Sequence, residues 1–158
     1  MGHRQIWLDK DGVLANFNKR AELILGMPPS EYDKLHGPKA FDANVYAQPD
    51  FFALLEPMED AHELVASVKH LKPIILTGHP NNGYWAVEQK FKWRDNNFPD
   101  LPLVSCLSKD KPKFCRPGDI LIDDWSKYKT NWEEASGVFI HHVSAKQSIS
   151  QLKELGII

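Results

Sequence analysis

Two aspartates, two residues apart, follow a short apolar run near the start of the sequence. The run Ile6-Trp7-Leu8 is typical of a buried strand, and Asp9 and Asp11 come directly after it. In extended backbone, residues i and i+2 point the same way, so we expect both carboxylates on one side of the strand end. Two unit charges about 4 Å apart repel by about 4 kcal/mol, at an effective dielectric near 20, unless a cation lies between them. Oxygen ligands of this kind predict a magnesium or calcium site rather than a zinc site.

Polar groups also follow later apolar runs that are typical of strands. We predict strands over residues 74–76, 103–107, 120–122 and 138–140. The side chains and glycine near the ends of these runs that could do chemistry are Thr77, Gly78, His79, Lys111, Lys113, Asp123 and Asp124.

Amphipathic helices separate the predicted strands. Residues 61–71 repeat apolar side chains at helical spacing, and Tyr84, Val87 and Phe91 share a face of a later helix from which Lys90 is largely absent. Continuous apolar strands that alternate with helices predict an α/β fold, a doubly wound parallel sheet of about five strands covered on both faces. Ligands of such sheets bind outside the carboxyl ends of the strands, where the polar groups listed above are expected to meet.

Two local features of these elements are also predicted. The later helix is expected to be capped at its N-terminus by Asn81 and Asn82, because asparagine side chains accept from the free backbone N–H groups there. His141 and His142 follow the last predicted strand, and we expect both at its solvent-exposed end.

A long helix-leaning segment separates the first strand from the second. We expect a core of residues 1–14 and 73–158, with residues 15–72 inserted as a small helical cap over the end of the sheet. Most aromatic side chains of this segment are expected to form the core of the cap, while one or two could face inward and stack on a flat group such as a nucleobase. The aromatic side chains in question are Phe17, Phe41, Tyr46, Phe51 and Phe52, with Phe17 and Tyr46 taken as candidates for substrate binding.

Composition limits the partners. The 158 residues carry a net charge of −2, which provides no general attraction to long nucleic acid or to an anionic membrane. No apolar run approaches the roughly 18 residues of a membrane span, and the start of the chain lacks the apolar segment of a signal peptide. We expect a cytoplasmic protein in which Cys106 and Cys115 are free thiols. A homodimer is left open.

The polar set suits phosphoryl transfer. An aspartate can attack phosphorus if the charge of the phosphate is first neutralised, and Mg²⁺ held by Asp9 and Asp123 would do so. A lysine adds positive charge, and the Thr77 hydroxyl offers a donor to phosphate oxygens. Asp11 is then available to protonate the leaving alkoxide and later to activate water.

These motifs resemble the motifs of the haloacid dehalogenase superfamily. They comprise Asp9-x-Asp11-Gly12-Val13 after an apolar strand, Thr77 at the end of the second strand, a lysine before the fourth, and Asp123-Asp124 after it. Within that superfamily the chain is similar to the 5'(3')-deoxyribonucleotidase group, because residues 45–57, 89–93 and 107–111 resemble segments of that group.

The resemblance implies a magnesium-dependent phosphatase of nucleoside monophosphates. Asp9 would be the nucleophile and Asp11 the acid and base, and Asp11 would reach the metal through its backbone carbonyl. The implied metal ligands are Asp9, Asp11, Asp123 and Asp124, and the implied catalytic residues include Thr77 and a lysine.

The chain departs from the group at two places. Gly78 and His79 stand where vertebrate members have a serine after the motif threonine, so contacts with the substrate at these two positions are expected to differ. Lys111 matches the local pattern Leu-Ser-x-Asp-Lys, whereas Lys113 would preserve the spacing to Asp123. We favour Lys111 as the catalytic lysine.

Alternative functions remain at this point. One is a phosphatase of another small phosphorylated metabolite or of the 3'-phosphate ends of nucleic acid, although the net charge disfavours long nucleic acid. Another is a phosphate-binding module without catalysis. The presence of both Asp9 and Asp11 argues against that module, since binding alone does not need an acid and base.

Overall fold

The computed structural model describes residues 3–81 and 83–158. At its centre lies a sheet of five parallel strands, and this confirms the predicted α/β fold. The strands are β1 (Ile6–Leu8), β2 (Ile74–His79), β3 (Leu103–Leu107), β4 (Ile120–Asp123) and β5 (Val138–His141). Their order across the sheet is β3-β2-β1-β4-β5.

Helices and short 3₁₀ segments connect the strands. The helices are α1 (Phe17–Leu25), α2 (Pro29–His36), α3 (Pro38–Val45), α4 (Ala61–Val68), α5 (Tyr84–Asn97), α6 (Lys129–Glu134) and α7 (Ala145–Glu154). The 3₁₀ segments are Lys69–Leu71, Ser108–Phe114 and Ser126–Tyr128. None of the helices in the described ranges is both long enough and apolar enough to cross a membrane.

Alternation along the strands buries both faces of the sheet. In β1, Ile6 and Leu8 join one apolar cluster, while Trp7 between them joins a second cluster with Leu121 and Trp132. Successive side chains of a strand point to opposite faces, so a continuous apolar strand needs cover on both sides. This requirement explains why the strands read as unbroken apolar runs.

The order of the strands brings the ends of β1 and β4 side by side. From β1 the chain moves outward through β2 to β3, and it then returns to place β4 on the other side of β1. The crevice at such a reversal is where ligands of doubly wound sheets bind. The backbone N–H of Asp9 donates to the carbonyl of Ile122 at 2.9 Å, which holds the two strand ends together.

The helices α1, α2 and α3 pack on one another and form a helical lobe over residues 17–45. Helix α4, which follows this lobe, packs on α7 beside the sheet. At the start of α5 the N-cap position belongs to Gly83, so the prediction that Asn81 caps this helix is wrong, because the helix begins at Tyr84. The predicted cap at Asn82 lies outside the described residues. At the start of α7, Ser144 is the N-cap, and its hydroxyl accepts from the backbone N–H of Gln147 at 3.2 Å.

Candidate active site

A cavity of about 460 Å³ lies at the carboxyl ends of the strands. It is lined by residues from the loop after β1, from β2, from the 3₁₀ segment before β4, from the end of β4 with the loop after it, and from the helical lobe. Its lining includes most of the residues that the sequence singles out, namely Asp9, Asp11, Phe17, Tyr46, Gly78, Lys111, Asp123 and Asp124. Thr77 is fully buried next to Gly78, and His79 lines an adjoining cavity of about 330 Å³.

Lys111 lies between two of the carboxylates. Its Nζ donates to Oδ1 of Asp9 and to Oδ2 of Asp123, both at 2.9 Å. Burial alone would lower the pKa of Lys111, but the two carboxylates more than reverse this effect and raise it above its usual range. Lys113, by contrast, has a 77% exposed side chain and pairs with Asp110 at the surface. The geometry therefore distinguishes the two lysines that the sequence leaves as candidates.

A third carboxylate joins this pair. Ligand oxygens of Asp9, Asp123 and Asp124 lie within 4.8 Å of one another. Burial, with repulsion from Asp123, raises the pKa of Asp9 well above its usual value, although Lys111 opposes the shift. Burial also raises the pKa of Asp124. Three close carboxylates with one ammonium between them carry more negative than positive charge, and their oxygens are the ligands that Mg²⁺ prefers. The donor set therefore fits a divalent cation.

Gly12 gives Asp124 its space. A Cβ atom on Gly12 would overlap the carboxylate of Asp124, and the φ angle of Gly12 is +91°, in the left-handed region that favours glycine. A glycine is needed here for both reasons. The loop after β1 can therefore pass directly beside the carboxylate cluster.

The side chain of Asp11 is held by two lysines and not by the cluster. Lys10 Nζ donates to its Oδ1 at 2.9 Å, and Lys90 Nζ donates to its Oδ2 at 2.7 Å. Burial disfavours the charge of Asp11, but the two ammonium groups outweigh burial and hold its pKa well below the usual range. In this arrangement Asp11 is an ionised hydrogen-bond acceptor.

Lys90 also reaches the end of β2. Its Nζ donates to Oγ1 of Thr77 at 3.0 Å and to the carbonyl of Gly78 at 2.6 Å. The same ammonium lies 4.5 Å from the ring centroid of Phe52. One buried lysine of α5 thus connects the loop after β1 with β2.

Reasoning from the sequence missed Lys10 and Lys90 as site residues. The predicted apolar face of α5 was wrong in part: Phe91 does pack against the core, but Tyr84 is 83% exposed, and the buried residues of the helix are Ala86, Lys90 and Trp93. The spacing i, i+4, i+7 of the buried three could have indicated this face, but only if a lysine is allowed on it. Lys10 is fully buried with its Nζ 4.5 Å from the ring centroid of Trp93, and its place between two aspartates was the available signal.

Gly78 packs against Ser108. A Cβ atom at position 78 would overlap the Ser108 hydroxyl and lie 3.3 Å from the Ser108 Cα atom. Any side chain at position 78 would therefore require the Ser108 hydroxyl to move. The Ser108 hydroxyl occupies that space and lines the cavity. Nearby, Nδ1 of His79 lies 2.9 Å from the Ser105 hydroxyl, and burial together with Lys90 lowers the pKa of His79.

The five aromatic side chains named above for residues 15–72 form a connected cluster. Phe17 packs edge-on against Phe51 at 5.3 Å between ring centroids, and Tyr46 stacks on Phe52 at 5.5 Å. Phe51 and Phe52 are buried, whereas Phe17 and Tyr46 are partly exposed and line the cavity.

The two histidines at the end of β5 differ from each other. His141 is exposed, as the sequence predicted, and its Nε2 lies 2.9 Å from the carbonyl of Asp124. The same prediction for His142 is wrong, because His142 is buried and its Nδ1 lies 2.7 Å from the Ser148 hydroxyl. Helix α7 covers His142, and the position of His142 after the strand did not indicate that a helix would pack there.

Several solved structures share this fold at low sequence identity, and three hydrolases are among them. L-2-haloacid dehalogenase from Xanthobacter autotrophicus matches with a TM-score of 0.56 at 13% identity, over 99% of this chain and 85% of that one. A hydrolase from Streptococcus pneumoniae TIGR4 matches with a TM-score of 0.54 at 12% identity, over 100% of both chains. A HAD family hydrolase from Deinococcus radiodurans R1, solved with bound phosphate and sodium, matches with a TM-score of 0.51 at 12% identity, over 94% of this chain and 87% of that one.

At the level of sequence, no curated protein matches the chain. A family model does match it over residues 4–148, and the description of that model is "5' nucleotidase, deoxy (Pyrimidine), cytosolic type C protein". The match spans the whole sheet and every residue of the candidate site. The chain therefore belongs to this family of haloacid dehalogenase-like 5'-nucleotidases, and it is a phosphoric monoester hydrolase.

Proposed function

We propose that this protein is a magnesium-dependent phosphatase that hydrolyses nucleoside monophosphates, deoxynucleotides among them, through an aspartyl-phosphate on Asp9. The observation that carries the proposal is Lys111 between Asp9 and Asp123, with Asp124 beside them. A carboxylate nucleophile can meet a phosphate dianion only where positive charge is concentrated. The lysine supplies part of that charge, and a divalent cation bound by the three carboxylates would supply the rest.

Two displacements at phosphorus complete the reaction. In the first, a carboxylate oxygen of Asp9 forms a bond to phosphorus and the bond to the ester oxygen breaks. Asp11 must first take up a proton, which it lacks in the arrangement described above, and it then gives that proton to the leaving alkoxide. In the second, Asp11 takes a proton from water, the water oxygen attacks phosphorus, and the bond to Asp9 breaks. Inorganic phosphate leaves, and Asp9 returns to its starting state.

The other groups hold the phosphate. Lys111 lines the cavity and can donate to phosphate oxygens. Oγ1 of Thr77 already accepts from Lys90, which leaves the hydroxyl hydrogen of Thr77 to be donated. Mg²⁺, when bound by the carboxylates of Asp9, Asp123 and Asp124 and the backbone carbonyl of Asp11, supplies Lewis acidity and neutralises phosphate charge.

The proposed substrate is a small molecule with a flat group. Family membership supports a nucleotide, and the cavity of about 460 Å³ falls in the usual range of sites for small ligands. Phe17 and Tyr46 line it and offer contacts for a nucleobase, with Gly78 and His79 beside them. We assign residues 1–14 and 73–158 to the catalytic core and residues 15–72 to a cap. A cytoplasmic location is part of the proposal, supported by the free thiols of Cys106 and Cys115.

Phosphate release from a matched panel tests the function. The panel contains deoxynucleoside and ribonucleoside 5'-monophosphates, their 3' isomers, sugar phosphates and an oligonucleotide with a 3'-phosphate, each with Mg²⁺ and with EDTA. We expect the nucleoside monophosphates to be hydrolysed fastest and EDTA to stop the reaction.

The Asp9→Asn variant tests the covalent route. It should abolish turnover without loss of fold, whereas Asp100→Asn, at an exposed carboxylate outside the cavity, should behave as wild type. Mass spectrometry of the acid-quenched wild-type reaction should find one phosphoryl group on Asp9. Turnover that survives Asp9→Asn would exclude the covalent mechanism, and equal rates on all esters would exclude the nucleotide preference.

A further inference from the structure

Trp125 is a large aromatic side chain that is exposed beside the candidate catalytic groups. It lines the same cavity as Asp9 and Lys111, and 52% of its surface is exposed. Its backbone N–H donates to Oδ1 of Asp123 at 3.0 Å, which fixes its position relative to the carboxylate cluster. Folding usually buries tryptophan, so an indole held half in solvent at the edge of a cavity is available for a ligand.

Two neighbours orient the indole, and one of them, Lys127, lies over one face of the ring. Tyr128 meets the ring edge-on, at 5.7 Å between centroids and an interplanar angle of 88°. Lys127 Nζ lies 5.3 Å from the Trp125 centroid and 5.5 Å from the Tyr128 centroid. Contacts of both kinds restrict the orientation of an aromatic ring.

The aromatic side chains of residues 15–72 that line the cavity are differently placed. Tyr46 packs against Phe52 and Trp85, and Phe17 packs against Phe41 and Phe51. Much of the surface of these rings is in contact with other aromatic rings. Trp125 belongs instead to the loop after β4, so the cavity has aromatic lining from two separate elements.

We propose that the indole of Trp125 stacks on the nucleobase of the bound nucleotide and makes the site prefer nucleotides to phosphate esters without a base. This inference rests on the proposed function and names the residue that selects the substrate class. Every nucleobase has a flat π face, and stacking on an aromatic side chain tolerates differences between bases. Such a platform therefore selects for the presence of a base more than for its identity.

The test compares esters that share sugar and phosphate and differ only in the base. For each variant, kcat/KM is measured on deoxynucleoside 5'-monophosphates and on 2-deoxyribose 5-phosphate. Trp125→Ala should lower the ratio of the two values by about 10- to 100-fold, mainly through KM for the nucleotide, and Trp125→Phe should keep most of it. Leu155→Ala, which removes an exposed apolar side chain at the end of α7, should leave the ratio unchanged.

Binding provides a second readout. In the Asp9→Asn background, a deoxynucleotide should quench tryptophan fluorescence, and Trp125→Phe added to that background should remove most of the quenching although four other tryptophans remain. A Trp125→Ala ratio equal to wild type, or an equal fall on both esters, would overturn the stacking proposal. If wild type hydrolyses no nucleotide at all, the proposed function fails instead, so the two failures are distinguishable.

Discussion

The ammonium group of Lys90 on α5 lies 2.7 Å from the carboxylate of Asp11 in the loop after β1. The same Nζ contacts Thr77 at 3.0 Å, so one buried cation joins two residues to which we assign catalytic roles. Lys10 holds the second oxygen of Asp11 from the opposite end of the carboxylate. The orientation of Asp11 is therefore set by residues outside the carboxylate cluster.

Replacing Lys90 by methionine should impair catalysis more than binding. The variant frees one oxygen of Asp11 and removes the contact with Thr77, so we expect kcat to fall by about 100-fold, within the range of a lost acid or base. Steady-state phosphate release measures this. Lys92→Met, on the exposed side of the same helix, is the matched control and should keep wild-type kcat. A fall in kcat/KM through KM alone would contradict an orienting role.

The two lysines of the segment before β4 should differ sharply. Lys111→Met leaves the buried carboxylates of Asp9 and Asp123 without their shared cation, so we expect at least a 100-fold loss of kcat and a free energy of unfolding lower by about 3 kcal/mol. Lys113→Met removes only a surface pair and should change neither by much. Kinetics and urea denaturation measure the two effects. Comparable losses in both variants would contradict the role of Lys111 as the cation shared by Asp9 and Asp123.

Alanine at Gly12 should prevent cation binding. Its Cβ would overlap the Asp124 carboxylate, so Mg²⁺ should raise the melting temperature of wild type but not of Gly12→Ala. Gly26→Ala is the control, because Gly26 also has a positive φ, of +75°, but nothing lies within 4 Å of its added Cβ.

Both alanine variants should lose about 1 kcal/mol from backbone strain, since both residues occupy the left-handed region. Only Gly12→Ala should lose the rise in melting temperature that Mg²⁺ causes. Thermal denaturation with and without the ion measures this rise. A normal Mg²⁺ response in Gly12→Ala would show that Asp124 is not needed for the cation.

Acid should destabilise the fold through His142. Burial lowers the pKa of His142 from the usual value of 6.5, so the unfolded chain binds a proton at a pH where the folded chain does not. This contribution to stability is complete above about pH 6.5 and is lost as the pH falls through the lowered pKa. Urea denaturation from pH 7.5 to 5 in EDTA measures it.

Glutamine at position 142 cannot take up that proton. His142→Gln should therefore show a flatter dependence of unfolding free energy on pH over this range, at some cost in packing. His70→Gln, at an exposed position, should retain the wild-type slope. An unchanged slope in His142→Gln would assign the acid sensitivity to other groups.

The framework of the site could be predicted because it depends on local pattern. Apolar runs that end in Asp9, Thr77 and Asp123 indicate strands with polar ends, and parallel strands present those ends at one edge. The convergence of Asp9 and Asp123 follows from topology, without any knowledge of side-chain packing. The cation between that pair is Lys111. Its local sequence pattern favoured it over Lys113, but the spacing to Asp123 favoured Lys113, so the sequence alone did not decide between them.

The residues that sequence reasoning missed are those whose surroundings come from distant parts of the chain. Lys90 was assigned to the polar side of α5 because lysine is usually exposed, and its burial depends on Asp11, which lies 79 positions away. His142 was expected in solvent, and helix α7 covers it. A sequence pattern reports the preference of a residue for water, whereas the free energy of burying a charge is set by its partners.

By itself, the sequence determined the class of fold, the sheet edge at which ligands are expected and the acidic groups found there, since apolar strands that alternate with helices and end in polar residues suffice for these. Only the tertiary structure decided which cations hold Asp9 and Asp11, which face of α5 is buried, and that Trp125 lies at the edge of the cavity. Those features depend on contacts a few ångströms long between segments far apart in the chain, and such contacts exist only once the chain has folded.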